Sequence, residues 1–255
     1  MVFSLTTNGV LNDSSLSELI EIKPEETAIS LDGAEKTHDY LRGNGTHIKT
    51  LRSIDRLLNN GCNVTINSLL SGKTSEKDIA YLLNLSKKAG IEVSFFHTRP
   101  IGRGADLPGV QINLPYLISV NNYISLLRKE DPIVKLRIGS PTLKGKVGEL
   151  LSFPTSDGFY RLNIMSDGSI YAGGCVPYVS KESRDMYNLG NIKKENYSIL
   201  DIWNNSRRLK QQRGWLKNLR KRCNCCEQER CPTFTTEMEV YAEQFGENPF
   251  CIKKQ

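Results

Sequence analysis

Apolar and polar positions along the first hundred residues switch between a period of two and a period near 3.6, which predicts strands alternating with helices. Val2-Phe3-Ser4-Leu5-Thr6 reads as a strand entering the turn Thr7-Asn8-Gly9, and Leu16, Leu19 and Ile20 mark the stripe of a short helix. Thr27 to Leu31 is the next strand, ended by Asp32-Gly33. Ile48, Leu51, Ile54 and Leu58 give a second helical face, closed by Gly61. Cys62 to Leu70 is strand-like, with Val64 and Ile66 on one face. Ser75 and Asp78 have the spacing of a capping box before a helix carrying Ile79, Leu82 and Leu83, which ends near Gly90. Ile91 to Phe96 supplies a fourth strand.

This alternation argues for a parallel sheet or barrel with right-handed crossovers, folds that carry their chemistry at the C-terminal ends of the strands. Those ends are Thr7-Asn8-Gly9, Ser30-Leu31-Asp32-Gly33, Asn67-Ser68 and His97-Thr98-Arg99, and they are largely polar. After about residue 104 the pattern changes. A helix is expected between Pro115 and Arg128. Tyr160, Leu162 and Ile164 then alternate up to Asp167-Gly168, with Ile170 and Tyr171 beyond, which is the signature of a β-hairpin. Short helices around Ile199–Trp203 and Leu209–Leu219 lead to a cysteine-rich end.

Cys223, Cys226 and Cys231 form a Cys-x2-Cys-x4-Cys clamp, and Cys251 follows 20 residues later. Two cysteines spaced by two residues can turn their sulfurs towards one point, as zinc and iron–sulfur clusters both require. Seven cysteines without a signal sequence point to a reducing compartment, so a cytoplasmic location is expected. No apolar run has the length of a membrane-spanning helix. Between Arg207 and Arg222 there are eight basic residues and no acidic one. Trp215 stands alone among them, so base stacking gets no support; the run is read as a solvated or cluster-balancing face rather than a nucleic-acid footprint. Cys62 is alone at the start of its strand and reads as a core thiol.

With these segments placed, the sequence resembles the radical S-adenosylmethionine (radical SAM) enzymes that carry a C-terminal SPASM domain. The barrel part matches at Thr7-Asn8-Gly9, at Ile29-Ser30-Leu31-Asp32-Gly33 with His38-Asp39 and Arg42-Gly43, and at Arg99-Pro100-Ile101-Gly102-Arg103. The later part matches at Ser166-Asp167-Gly168 before Cys175, at Gly190-Asn191-Ile192, at Asp201-Ile202-Trp203 and at the cysteine clamp. The resemblance implies an α/β fold: a partial (β/α) radical SAM barrel of about four βα units over 1–104, a linker or helical bridge over 105–155, and a small α+β SPASM-like auxiliary iron–sulfur domain over 156–255. It implies S-adenosylmethionine as cofactor of the intact enzyme. In the family, reductive cleavage of this cofactor yields a 5′-deoxyadenosyl radical that abstracts hydrogen, typically from a peptide or protein being modified. By the same resemblance Ser30 would hydrogen-bond the ribose or methionyl part, Arg42 would pair with the carboxylate, and Ile101 would pack beside the adenine.

The chain also departs from the family pattern. It contains no CxxxCxxC, so it holds no ligands for the radical-generating cluster, and its first residues read as the family's third strand. The expectation is an N-terminally truncated form, inactive alone, whose missing part comes from a truncated gene model, a disrupted gene or a separately encoded piece. Glu195 and Thr235 stand where the first auxiliary cluster has cysteines, whereas the second cluster's four ligands are present. One auxiliary 4Fe–4S cluster at Cys223, Cys226, Cys231 and Cys251 is expected, with Cys175 as an additional candidate ligand and iron–sulfur favoured over zinc. Catalytic acid and base groups are not identifiable. The leading expectation is an oxidoreductase or maturase fragment with a peptide or protein partner. The alternatives are a non-catalytic iron–sulfur peptide-binding module and a zinc-stabilised adaptor.

Overall fold

The computed structural model describes residues 4–98, 103–110, 114–130, 136–138, 162–173, 176–178, 181–194 and 198–217. They fall into two compact units, one of residues 1–100 and 107–140, the other of residues 101–106 and 141–255.

The first unit is a five-stranded, all-parallel sheet in sequential order, formed by β1 (Ser4–Thr7), β2 (Glu26–Ser30), β3 (Val64–Leu70), β4 (Glu92–His97) and β5 (Leu136–Ile138). Between the strands run α1 (Asp13–Ile22), α2 (Glu35–Arg42), α3 (Thr46–Asn59) and α4 (Glu76–Ala89), and α6 (Leu114–Glu130) lies between β4 and β5; the short α5 (Arg103–Asp106) belongs to the second unit. Alternation sorts the sheet into two faces. Ile29 and Leu31 of the β2 segment, Val64, Ile66 and Leu70 of β3, and Val93 and Phe95 of β4 share one face. They are buried in a single cluster with Leu16, Ile54, Leu57, Ile79, Leu82 and Ile124 from the helices. Cys62 is a free thiol in that cluster, 5% exposed. The other face carries Ser30, Thr65, Asn67 and Ser94, with Thr65 Oγ1 donating to Glu26 at 2.9 Å. An apolar, helix-covered face opposite a hydroxyl- and amide-bearing one is what a barrel wall with a polar interior needs.

The local chemistry explains several of these elements. The capping box of α4 is complete: Ser75 Oγ accepts from the Asp78 amide, and the Asp78 carboxylate accepts from the Ser75 amide at 2.9 Å. Gly90 then terminates the helix. In α3 the buried residues are His47, Thr50, Ser53, Ile54 and Leu57, while Ile48 is 66% exposed. The expected Ile48-Leu51-Ile54-Leu58 face is therefore rotated. Polar side chains take the inward stripe because they serve the turn after β1: Thr50 Oγ1 donates to Asn8 O at 3.1 Å and Ser53 Oγ to Gly9 O at 2.6 Å. β3 continues through Leu70, so Asn67-Ser68 lie inside it rather than at its end. The stretch expected as a helical bridge contributes α6 and β5, and β5 adds a fifth strand to the sheet through Val93 and Phe95.

The second unit holds a three-stranded antiparallel sheet of β6 (Asn163–Ile164), β7 (Ser169–Tyr171) and β8 (Gly190–Asn191). A 3₁₀ turn (Val176–Tyr178), α7 (Lys181–Met186), α8 (Ile199–Asn205) and α9 (Arg207–Lys217) complete its described part. The Asp167-Gly168 turn closes with Gly168 N donating to Met165 O at 2.8 Å and Gly168 at φ 88°, a conformation that favours glycine. A Cβ there would sit 2.6 Å from Asn191 Oδ1. Asn191 Nδ2 donates to Asp167 O at 3.0 Å, and Ile192 N donates to Gly168 O at 2.9 Å. Ser166-Asp167-Gly168 and Gly190-Asn191-Ile192 are thus two halves of one clasp. Ile202, Leu209, Ile170, Ala172 and Leu189 make the small core beneath it. In α9, Arg213 lies 4.4 Å from the Trp203 ring centroid and donates to Trp203 O at 2.8 Å, which ties part of the basic run to packing.

Candidate functional site

The polar end of β2 is built around Asp32, two residues past the strand. Its side chain is 0% exposed, and a carboxylate so buried has to be paired and hydrogen-bonded to stay ionised. Arg42 Nε donates to its Oδ2 at 2.6 Å and Arg42 Nη2 to its Oδ1 at 3.4 Å, while the Leu69 amide donates to Oδ1 at 2.8 Å. The Asp32 backbone N–H donates to His38 Nδ1 at 3.1 Å. His38 and Arg42 are four residues apart on α2 and so share a helix face, which turns both towards Asp32. Arg42 keeps its side chain 26% exposed while its partner is fully covered.

The walls of this site come from α3 and α4. Asp39 takes the place of a cap for α3, accepting from the amides of Gly45 (2.6 Å) and His47 (2.8 Å). Those amide bonds, the one from His47 foremost, hold its carboxyl below the usual aspartate range. The His47 ring stands edge-on to His38 with centroids 5.7 Å apart, and His47 Nε2 meets Tyr81 Oη at 3.1 Å. Burial lowers the pKa of His38 and raises that of Tyr81. From α4, Asp78 Oδ1 accepts the Ala34 amide at 3.0 Å and so fixes the loop that follows Asp32. On the rim, Thr98 Oγ1 and Gly72 N both donate to Val110 O, at 2.9 and 3.0 Å, and Tyr40 Oη donates to Pro108 O at 3.0 Å.

Of the residues singled out from sequence, Ser30 and Arg42 lie at this strand end. Ser30 is half-buried and in register with Asn67 of β3. Ile101, Cys175, Cys223, Cys226, Cys231 and Cys251 lie outside the described residues. Among the described residues no group of three His, Cys, Asp or Glu side chains is placed to hold a metal, and no helix is long and apolar enough to cross a membrane. Sequence reasoning did not single out Asp32, His38, His47 or Asp78 as site residues. The available signal was a charged residue at a strand end followed at six and ten residues by a histidine and an arginine.

The SPASM family, an iron-sulfur cluster-binding domain, matches residues 156–232. A GTP 3′,8-cyclase of Clostridium perfringens (strain SM101 / Type A) is 30% identical over 156 residues, covering 56% of this chain and 46% of the relative. One from Clostridium botulinum (strain Hall / ATCC 3502 / NCTC 13319 / Type A) is 25% identical over 205 residues, covering 72% of this chain and 64% of the relative. The chain therefore spans about half the length of the curated relative first described. Among solved structures, native anSMEcpe with bound AdoMet superposes with a TM-score of 0.59 at 19% identity, over 82% of this chain and 58% of that one. Streptococcus suis SuiB bound to precursor peptide SuiA gives a TM-score of 0.56 at 15% identity, over 81% and 48%. The parallel sheet with its alternating helices, the sequence relatives and the matched domain together support a radical S-adenosylmethionine fold followed by a SPASM domain over residues 156–232.

Proposed function

We propose that this chain binds S-adenosylmethionine at the end of β2 and one 4Fe–4S cluster at Cys223, Cys226, Cys231 and Cys251, as part of an oxidoreductase or maturase that modifies a peptide or protein. The observation that carries this reading is Arg42, locked by a wholly buried carboxylate yet still a quarter exposed at the strand end. Its two bonds to Asp32 use only part of the guanidinium's donor fork, which leaves donors for the carboxylate of a second anion. Ser30 stands at the same strand end with a hydroxyl suited to the ribose or methionyl group. Four cysteine thiolates are the donor set that an iron–sulfur cluster takes, and Cys175 is a further candidate ligand. When bound and reduced, the S-adenosylmethionine of this family supplies hydrogen-atom abstraction. No CxxxCxxC occurs among the 255 residues, so the ligands for the cluster that starts that chemistry must come from elsewhere.

A peptide or protein as substrate is supported by fold neighbours solved with peptides, anSMEcpe with the Kp18Cys peptide and SuiB with SuiA. The 30% identity to GTP 3′,8-cyclases favours a second reading, with GTP as substrate. Equilibrium dialysis of the anaerobically purified chain separates these readings. S-adenosylmethionine is expected to bind, and Arg42→Lys, which keeps the charge facing Asp32 but loses the fork, is expected to weaken it roughly 10- to 100-fold. Decarboxylated S-adenosylmethionine is expected to bind wild type and variant alike. Equal affinity of wild type and variant for S-adenosylmethionine itself would remove Arg42 from the site, and saturable GTP binding would favour the second reading.

A further inference from the structure

We propose that His38 is a positioning residue for this site: as a neutral ring with its proton on Nε2 it holds the Asp32 backbone, and through Asp32 it fixes Arg42 for a carboxylate-bearing ligand. The ligand part rests on the reading under Proposed function, whereas the His38–Asp32–Arg42 relay stands on the geometry alone.

The Asp32 amide has only a proton to offer, so His38 Nδ1 must present its lone pair at 3.1 Å, which places the ring proton on Nε2. His38 is 0% exposed, and its Nε2 has no hydrogen-bond partner among the described residues. An N–H buried in this way is destabilising. A histidine retained for packing alone would have no reason to carry that cost, so the compensating role lies at Nδ1. The next step runs through Asp32. The amide donated by Leu69 fixes one carboxylate oxygen at 2.8 Å, and Arg42 spans both oxygens. With the side chain pinned at Leu69, rotation of the Asp32 backbone tilts the carboxylate plane, and the guanidinium has to follow it. His38 is the side chain that stops that rotation.

Protonation undoes the arrangement, because an imidazolium Nδ1–H would face the Asp32 N–H. The charged groups around the ring oppose one another. Asp32 from the β2 end and Asp39 from α2 favour the cation, while Arg42 from α2 and His47 from α3 disfavour it. Tyr81 from α4 reaches the ring only through His47, and Asp78 of α4 is engaged by Ala34 N. Burial outweighs the carboxylates and lowers the pKa of His38 from its ordinary value. The ring is therefore neutral at pH 7, and the relay is lost as pH falls through the lowered value.

Two variants and two readouts test this. His38→Asn keeps an acceptor near the Nδ1 position but cannot titrate, whereas His38→Leu removes the acceptor. His38→Leu is expected to weaken S-adenosylmethionine about tenfold and leave its decarboxylated analogue within about twofold. His38→Asn is expected to bind like wild type at pH 7.5 and to lack the loss of affinity that wild type shows in acid. In NMR spectra of the full chain, the wild-type Arg42 Nε–Hε and Asp32 amide resonances are expected to shift together as His38 titrates, and to stay put in His38→Asn. A proton on Nδ1 at neutral pH, or an Arg42 resonance indifferent to His38, would overturn the proposal. Equal losses for both ligands in His38→Leu would reduce His38 to a structural residue. Should wild type bind no S-adenosylmethionine while the resonances move as expected, the ligand assignment fails and the relay stands.

Discussion

Replacing Asp32 with alanine is expected to destabilise the first unit by about 2–4 kcal/mol and to abolish measurable S-adenosylmethionine binding. Two losses add. The half-buried Leu69 amide loses the acceptor that the wholly buried Asp32 carboxylate supplies, which costs on the order of 1–3 kcal/mol. Arg42 loses its carboxylate, but at 26% exposure the guanidinium can turn to water, so the full cost of stranding a buried charge is not reached. Asp32→Asn separates the two, because its carbonyl still accepts from Leu69. It should cost about half as much in stability while still releasing Arg42. Urea denaturation of the three proteins checks the order wild type, Asp32→Asn, Asp32→Ala. An alanine variant within about 0.5 kcal/mol of wild type would mean that Asp32 does not organise the strand end.

Gly33→Ala should be comparably damaging for a different reason. Gly33 sits at φ 128°, where a side chain is strained, and an added Cβ would lie 2.6 Å from Asp78 Oδ1 and 2.8 Å from Asp78 Cβ. Asp78 cannot yield easily: it is 4% exposed and accepts from Ala34 N at 3.0 Å, Ser75 N at 2.9 Å and Ser75 Oγ at 2.6 Å. Backbone strain and overpacking each cost about 1–3 kcal/mol, so a loss of roughly 3–5 kcal/mol is expected from the denaturation midpoint. Because the displaced carboxylate also caps α4, amide exchange should quicken in the first turn of that helix. A variant of unchanged midpoint and unchanged α4 protection would contradict the close approach of the Gly33 loop to the first turn of α4.

What could be read from the sequence was what local chemistry dictates. The Ser75–Asp78 box, the Asp167-Gly168 turn and strands two to four follow from short-range pattern, and the structure contains them. Helix α2 leaves no periodic signal because Glu35-Lys36-Thr37-His38-Asp39 offers no apolar stripe; its buried residues are His38 and Leu41. The buried face of α3 departs from its apolar periodicity because hydroxyls and an imidazole, His47, Thr50 and Ser53, occupy inward positions that periodicity assigns to apolar residues. β5 is three residues long, below the length at which alternation carries information. The pairing of Asp32 with Leu69 spans 37 residues and depends on β3 overrunning β2, a stagger that only the register shows. The motifs, by contrast, were legible as motifs, and the structure adds their physical reasons: Asp32, His38 and Arg42 form one hydrogen-bonded network, and the Ser166–Gly168 and Gly190–Ile192 motifs are one clasp.

A carboxylate-binding strand end and a four-thiolate cluster site are both proposed for this chain, and the thiolate site is the one open to direct measurement. Iron and acid-labile sulfide, counted after anaerobic purification and reconstitution, test it. About four irons and four sulfides per chain are expected, falling to near none when Cys226 and Cys231 are replaced by serine. Stoichiometric zinc without sulfide would contradict the cluster assignment and leave the chain as a zinc-stabilised adaptor.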